Sequence, residues 1–188
     1  MMGQLLFVLA FFITLSSQAE DLSKLEAGKP LYSMRARNLV EIATVVRSEM
    51  SAFAEKKSLS LVLLNPDKEI IGLCDSEKIM QVLKNIVTNA IKFSKKGSSV
   101  RISFFETSDK VRCQVTNQGV GIPLSEIESI FDKFVQSSKT KTGAGGTGLG
   151  LAICKEILKH HEGNIWAESE ENGETRFIFE LPHFSAQA

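Results

Sequence analysis

Gly143-Ala-Gly-Gly-Thr-Gly-Leu-Gly150 is the stretch on which the reading of the whole chain turns. Five of its eight residues are glycine. Glycine costs folding entropy, so such density implies backbone that approaches a ligand or takes φ > 0. The cluster runs directly into an amphipathic pattern, Leu149, Ile153, Ile157 and Leu158. A glycine-rich loop that opens a helix presents unpaired N–H groups and the positive end of a dipole, which suits phosphate. A flexible linker is the competing reading, but linkers seldom lead straight into a helical pattern.

Working outward, the next informative segment lies some fifty residues upstream. Asp75 is placed to cap a helix whose apolar stripe is Ile79, Val82, Leu83, Ile86, Val87, Ala90 and Ile91. The other face is more telling. Gln81, Asn85, Asn89 and Lys92 are spaced four, four and three apart and line one edge of that helix. Asparagine is a mediocre helix former, yet two sit mid-helix on one line. A solvated polar face is the plain alternative.

The rest of the chain supplies the scaffold. Asn38 followed by Glu41 has the spacing of a capping box, and Leu39, Ile42, Val46, Met50, Phe53 and Ala54 recur at helical period behind it. Leu59–Leu64 and Glu69–Leu73 read as strands across the turn Asn65-Pro66-Asp67, a hairpin. Ser99–Glu106 and Val111–Thr116 read as a second hairpin, and Gly163–Ser169 with Thr175–Leu181 as a third, turning at Glu171-Asn172-Gly173. Ser125–Phe134 is expected to be a short helix, and the polar, lysine-containing run Val135–Gly145 a lid. The expected class is α+β: a two-layer sandwich of a mixed, mostly antiparallel sheet with three helices on one face.

Composition bounds the function. The 188 residues have room for one domain and a small appendage, and 43% hydrophobic residues are enough for a core. Twenty-two basic and 22 acidic residues cancel, so no nucleic-acid partner is expected. Cys74, Cys113 and Cys154 have no metal or redox spacing and read as reduced core residues. His160, His161 and His183 have no spaced His or Cys partner, which argues against zinc.

The apolar run Leu5–Leu15 admits three readings. It is short for a membrane helix. It has the length of a signal-peptide core but no preceding Lys or Arg. Val8, Phe11, Leu15, Gln18, Leu22 and Leu25 also keep the spacing of a coiled-coil seam. The favoured reading is a bundle helix over 1–28, able to form a homodimer, with membrane attachment left open and residues 29–184 as the main domain.

Taken together, these segments resemble the ATP-binding catalytic domain of sensor histidine kinases, in the gyrase, Hsp90 and MutL superfamily. Gln81–Phe93 resembles the family's N box, Asn117–Ile122 its first glycine box, Phe131–Phe134 its F box, Gly146–Gly150 its second glycine box, and Gly173–Phe177 the terminal one. Asp21-Leu-Ser-Lys-Leu-Glu-Ala-Gly28 resembles the junction with the family's dimerisation and phosphoacceptor hairpin.

The resemblance implies ATP and Mg²⁺ as ligands, with Asn89 as the metal ligand, Asn85 supporting the metal and phosphate region, and Lys92 meeting a phosphate. It implies that Gly119 and Gly121 pass close to the adenine and that Thr175 bonds near the base. Gly146, Thr147, Gly148, Leu149 and Gly150 would form the phosphate side. Lys133, Lys139 and Lys141 are candidates for lid charge, and no spacing argument chooses among them. The implied partners are a phosphoacceptor histidine domain and a response regulator in a phosphorelay. The implied location is cytoplasmic, with inner-membrane association left open by the apolar N-terminus.

Two departures from the family pattern matter. Its first glycine box normally begins with Asp, which accepts from the adenine amino group; here Asn117 stands there, followed by Gln118. An amide oxygen accepts the same bond without charge assistance. Second, no segment resembles the family's His box, so the acceptor histidine is expected on another chain. The gyrase-type glutamate position is Asn85, so rapid ATP hydrolysis is not expected. Two other functions compete: a degenerate nucleotide-binding or dimerisation module, and a serine kinase of the anti-sigma-factor type.

Overall fold

Two side chains each start a helix. Asn38 Oδ1 accepts from the Val40 N–H at 3.1 Å, and α1 follows over Leu39–Lys56. Asp75 Oδ1 accepts from the N–H groups of Glu77 and Lys78 at 3.1 and 3.2 Å, opening α2 over Ser76–Phe93. The third helix, α3 over Gly150–His160, begins without any side-chain cap. The computed structural model describes residues 19–20, 22–23, 32–64, 68–139, 146–170 and 173–184.

The strands are β1 (Arg35–Asn38), β2 (Ser60–Leu63), β3 (Ile71–Cys74), β4 (Ser99–Glu106), β5 (Lys110–Gln118), β6 (Asn164–Ser169) and β7 (Glu174–Pro182). Five of them form one sheet in the order β2-β4-β5-β7-β6, parallel at β2–β4 and antiparallel elsewhere. The three helices pack on one face of it. The apolar stripe of α2 is the centre of the core: every one of its seven residues is at most 1% exposed. The α+β sandwich read from the sequence is the fold observed, and the hairpins β4–β5 and β6–β7 form as expected.

The first expected hairpin does not form. β2 pairs with β4, and β3 pairs antiparallel with β1 in a separate two-stranded sheet. Tertiary packing explains the choice. β3 is drawn across α1 and the far end of β5: a Cβ on Gly72 would stand 3.2 Å from Val111 and 3.5 Å from Leu39. Ile70 and Cys74 are buried there, and the Leu39 N–H donates to the Ile70 carbonyl at 2.9 Å. Burial of apolar side chains by remote elements outranks a local turn signal. That turn, 65–67, lies outside the described residues.

Ser125–Phe134 is also not the α-helix expected. It is two 3₁₀ turns, Leu124–Glu126 and Ser129–Phe131. Ile130 and Phe131 are buried and Ile127 packs half-buried against the core, while Leu124 is 81% exposed, so no continuous apolar stripe is buried to sustain a helix. Phe131 meets Phe177 edge-on, with centroids 6.4 Å apart.

Most of the expected 1–28 helix lies outside the described residues, as do Lys141, Gly143 and Gly145 of the lid. Ala19, Glu20, Leu22 and Ser23 are helical, and Leu22, 5% exposed, belongs to the core. Among the described residues no helix is long and apolar enough to cross a membrane.

His161 closes α3 and ties it to α2. Its Nε2 accepts from the Asp75 N–H at 3.0 Å, so Nδ1 carries the proton and donates to the Ile157 carbonyl at 2.7 Å. The ring is fully buried, edge-on to Tyr32 at 5.0 Å. Burial pushes its pKa below the ordinary histidine range, outweighing the backbone bond and Asp75, which favour the charged form; His160 adds to the depression. The unfolded chain takes up this proton near pH 6.5, the folded chain only at lower pH. The contribution to stability is therefore fully present above about pH 6.5 and is lost as pH falls through the folded value. The thermal unfolding midpoint is expected to fall from pH 7 to pH 5 more steeply in the wild-type chain than in His161→Gln. Parallel curves would refute this.

Candidate functional site

The polar edge of α2 faces the glycine-rich approach to α3. Asn85 Nδ2 donates to the Gly150 carbonyl at 3.2 Å. In the last turn of α2, Lys92 Nζ lies 3.2 Å from the point a Gly146 Cβ would occupy. Asn89 sits between them on the same edge, partly buried, and its side chain makes no hydrogen bond with any described residue. The two ends of the second glycine segment are thus held against the two ends of the asparagine-lysine line.

Lys92 is held in a setting that disfavours its own charge. Burial pushes its pKa below the ordinary lysine range, and Lys57, whose ammonium donates to the Lys92 carbonyl at 3.2 Å, pushes the same way. Its ammonium also lies 5.1 Å from the centre of the Phe93 ring. An anion arriving there would offset that penalty, because an opposite charge nearby favours the charged form.

The N-terminus of α3 completes that side. The orphan N–H groups of a helix start need partners. Side chains serve that need in α1 and α2 but not in α3. An open, positively polarised helix start suits an anion such as phosphate. The glycines do different work here. Gly148 has φ +70°, and a Cβ would lie 2.7 Å from the Phe134 carbonyl carbon, so no other residue fits. Gly150, the first residue of α3, would bring a Cβ only to ordinary contact with Asn85 at 3.7 Å. Leu149 is fully buried, and its N–H donates to Thr147 Oγ1 at 3.2 Å. Its side chain therefore belongs to the core. Lys133 and Lys139 are exposed.

The other end of the site is built on the sheet. Asn117 and Thr175 stand opposite each other in the β5–β7 register and are 3% and 4% exposed. Asn117 makes no side-chain hydrogen bond with any described residue. Thr175 Oγ1 lies 2.9 Å from Ser169 Oγ, which accepts from the Ile122 N–H at 2.9 Å. Ser169 thus ties the first glycine segment to Thr175. The sequence reading missed it, although its place opposite Thr175 follows once the last hairpin is drawn. Gly119 lies against the end of α2: a Cβ would be 2.3 Å from the Phe93 carbonyl oxygen. The Lys95 N–H donates to the Gln118 carbonyl at 2.8 Å, and Gly121 is buried with φ +71°. One end of the candidate site thus carries buried polar groups and the other a lysine and a helix start.

A hollow of about 500 Å³ opens elsewhere, on the outer face of the sheet, lined by Leu64, Arg101, Phe105 and Gln114 among others. None of the candidate-site residues named above lines it.

The donor set fits magnesium in one way only. Among the described residues no group of three His, Cys, Asp or Glu is placed to hold a metal ion. Asn89 offers a single neutral amide oxygen. That matches a hard cation which keeps several waters and takes its remaining ligands from substrate phosphates.

The family described as histidine kinase-, DNA gyrase B-, and HSP90-like ATPase matches residues 74–185. The sensor histidine kinase WalK of Bacillus subtilis (strain 168) is 42% identical over 125 residues, 65% of this chain and 20% of that protein. The sensor protein kinase WalK of Staphylococcus aureus is 37% identical over 139 residues, 72% of this chain and 32% of the relative. The chain therefore spans a third or less of the length of these two curated relatives. Among solved structures, the catalytic domain of histidine kinase ThkA superposes with a TM-score of 0.71 at 34% identity, covering 80% of this chain and 96% of that one. Full-length ShkA in complex with AMPPNP superposes with a TM-score of 0.81 at 26% identity, covering 94% of this chain and 37% of that one.

Proposed function

Because this chain belongs to the histidine kinase-, DNA gyrase B- and HSP90-like ATPase family, we propose that it is the catalytic part of a sensor histidine kinase. On this reading it binds ATP with Mg²⁺ and passes the γ-phosphoryl group to a histidine of an acceptor domain in two-component signalling. The observation that carries the reading is the meeting of Lys92 with Gly146, and of Asn85 with Gly150, beside an uncapped helix start. The nucleotide complex of ShkA supports it.

The residues divide the work. Asn117 and Thr175 take the base at the buried end. The N–H groups at the start of α3 and the Lys92 ammonium take the phosphates. Asn89 supplies its amide oxygen to Mg²⁺, which when bound neutralises charge on the phosphates. Positioning and charge stabilisation carry phosphoryl transfer. No carboxylate lies on the α2 edge to activate water, which favours transfer over hydrolysis.

The chain's own histidines are engaged elsewhere. Both ring nitrogens of His161 are bonded, His160 Nε2 faces Glu156 at 3.5 Å, and His183 Nε2 faces Glu106 at 3.2 Å. A histidine of the acceptor domain is the better candidate.

Incubation with radiolabelled ATP, Mg²⁺ and a His-box helical hairpin tests the proposal. Acid-labile label on the hairpin is the expected result. ATP binding without transfer would mark a degenerate module, and acid-stable label a serine kinase. Affinity carries a further expectation. Asn117→Asp restores charge assistance to the base contact and is expected to tighten ATP binding about fivefold, roughly 1 kcal/mol. Equal affinities in a labelled-ATP titration would remove that role for Asn117.

A further inference from the structure

The chain leaving the second 3₁₀ turn is fastened at more points than a passing loop needs. Glu126 Oε2 accepts from Ser137 Oγ at 2.6 Å and from the Ser138 N–H at 3.0 Å. Ser137 is 8% exposed, so this anchor is enclosed. Ser129 Oγ donates to the Glu126 carbonyl at 3.1 Å and steadies the turn that carries the carboxylate. From the anchored segment, Gln136 Nε2 donates to the Gly146 carbonyl at 2.6 Å, and the Phe134 N–H to the Gly148 carbonyl at 3.0 Å. Gly146 is the residue that faces Lys92. A continuous path of bonds runs from Glu126 to the backbone opposite the phosphate lysine.

We propose that Glu126 is a positioning residue for the triphosphate. By anchoring Ser137 and Ser138 it holds Gln136 on Gly146 and so fixes the backbone across from Lys92. The inference rests on the nucleotide reading above. An ionised carboxylate suits the task, because it only accepts and receives two donors on one oxygen. Its bonds are charge-assisted and stronger than those of a neutral amide. No bond in this path involves Asn117, Gly119 or Thr175. Loss of Glu126 therefore weakens the phosphate end and spares the base end.

The test compares Mg-ATP with adenosine, by calorimetry and NMR titration of the full chain. In Glu126→Ala the Kd for Mg-ATP is expected to rise about tenfold, with the Kd for adenosine unchanged. Glu126→Gln, which keeps an acceptor oxygen, recovers most of that loss. Gln136→Ala, at an exposed position, moves the same way and serves if Glu126→Ala does not fold. Unchanged Mg-ATP binding in these variants, or equal weakening of both ligands, overturns the proposal. A wild-type chain that binds no Mg-ATP overturns the nucleotide reading and the proposal with it.

Discussion

Replacing Asn89 with alanine is expected to slow phosphoryl transfer from Mg-ATP about a hundred- to a thousandfold, the usual cost of losing one preorganised contact to developing charge. Position and chemistry both argue for this magnitude. Asn89 lies between Asn85, which is bonded to Gly150, and Lys92, which faces Gly146. On the proposed reading, its amide oxygen is the chain's contribution to holding Mg²⁺ at the phosphates. The substitution does not threaten the fold. Asn89 is only partly buried on α2, and alanine is the better helix former by up to about 0.7 kcal/mol. The thermal midpoint is therefore expected to stay level or rise slightly while transfer collapses, and Asn89→Asp is expected to keep part of the activity. Transfer to the His-box hairpin at saturating ATP and Mg²⁺ is the measurement. A rate within a few-fold of wild type would end the metal role.

The second large effect belongs to Gly119. A methyl group here would lie 2.3 Å from the Phe93 carbonyl oxygen, and that oxygen is backbone at the end of α2. Neither side yields easily: Ser94 and Gly119 form a bridge, and the Lys95 N–H is bonded to Gln118. The strain must push β5 away from α2, which separates Asn117 from Lys92. Gly119→Ala is expected to cost about 1–3 kcal/mol of stability, the range for overpacking a tight site, and to weaken ATP binding more than tenfold. Gly150→Ala is the contrast, since its methyl meets Asn85 at ordinary distance. It is expected to leave stability level or higher. Denaturant unfolding and ATP titration of the two variants decide the matter, and a Gly119→Ala chain as stable as wild type would contradict the geometry.

Much of this architecture is legible in the residues. The stripe Ile79–Ile91 announces α2 because seven apolar side chains at helical period have only one way to be buried together. The line of Asn85, Asn89 and Lys92 is visible for the same reason: what covers one face of a helix leaves the other for something else. What stayed hidden was non-local. Asn65-Pro66-Asp67 looks like a hairpin turn, and only the remote packing of Gly72 against Val111 and Leu39 sends β3 away from β2. The strand β1, Arg-Ala-Arg-Asn, has no apolar alternation to reveal it. Glu126 reads as one more acidic surface residue, because nothing in its neighbourhood says that Ser137 comes back to it. The two asparagines of α2 look equivalent in sequence, yet one is bonded to the start of α3 and the other is not.

The parallel pairing of β2 with β4 has a consequence for how the chain is made. A strand that pairs with its neighbour in a hairpin finds its partner as soon as both leave the ribosome. β2 instead waits until β3 and α2 have been synthesised, a few seconds at about 5–20 residues per second. During that interval the backbone edge that β4 will pair with is open. The nascent chain thus passes through a window in which a chaperone, or a second nascent copy, can reach a surface that the finished protein hides.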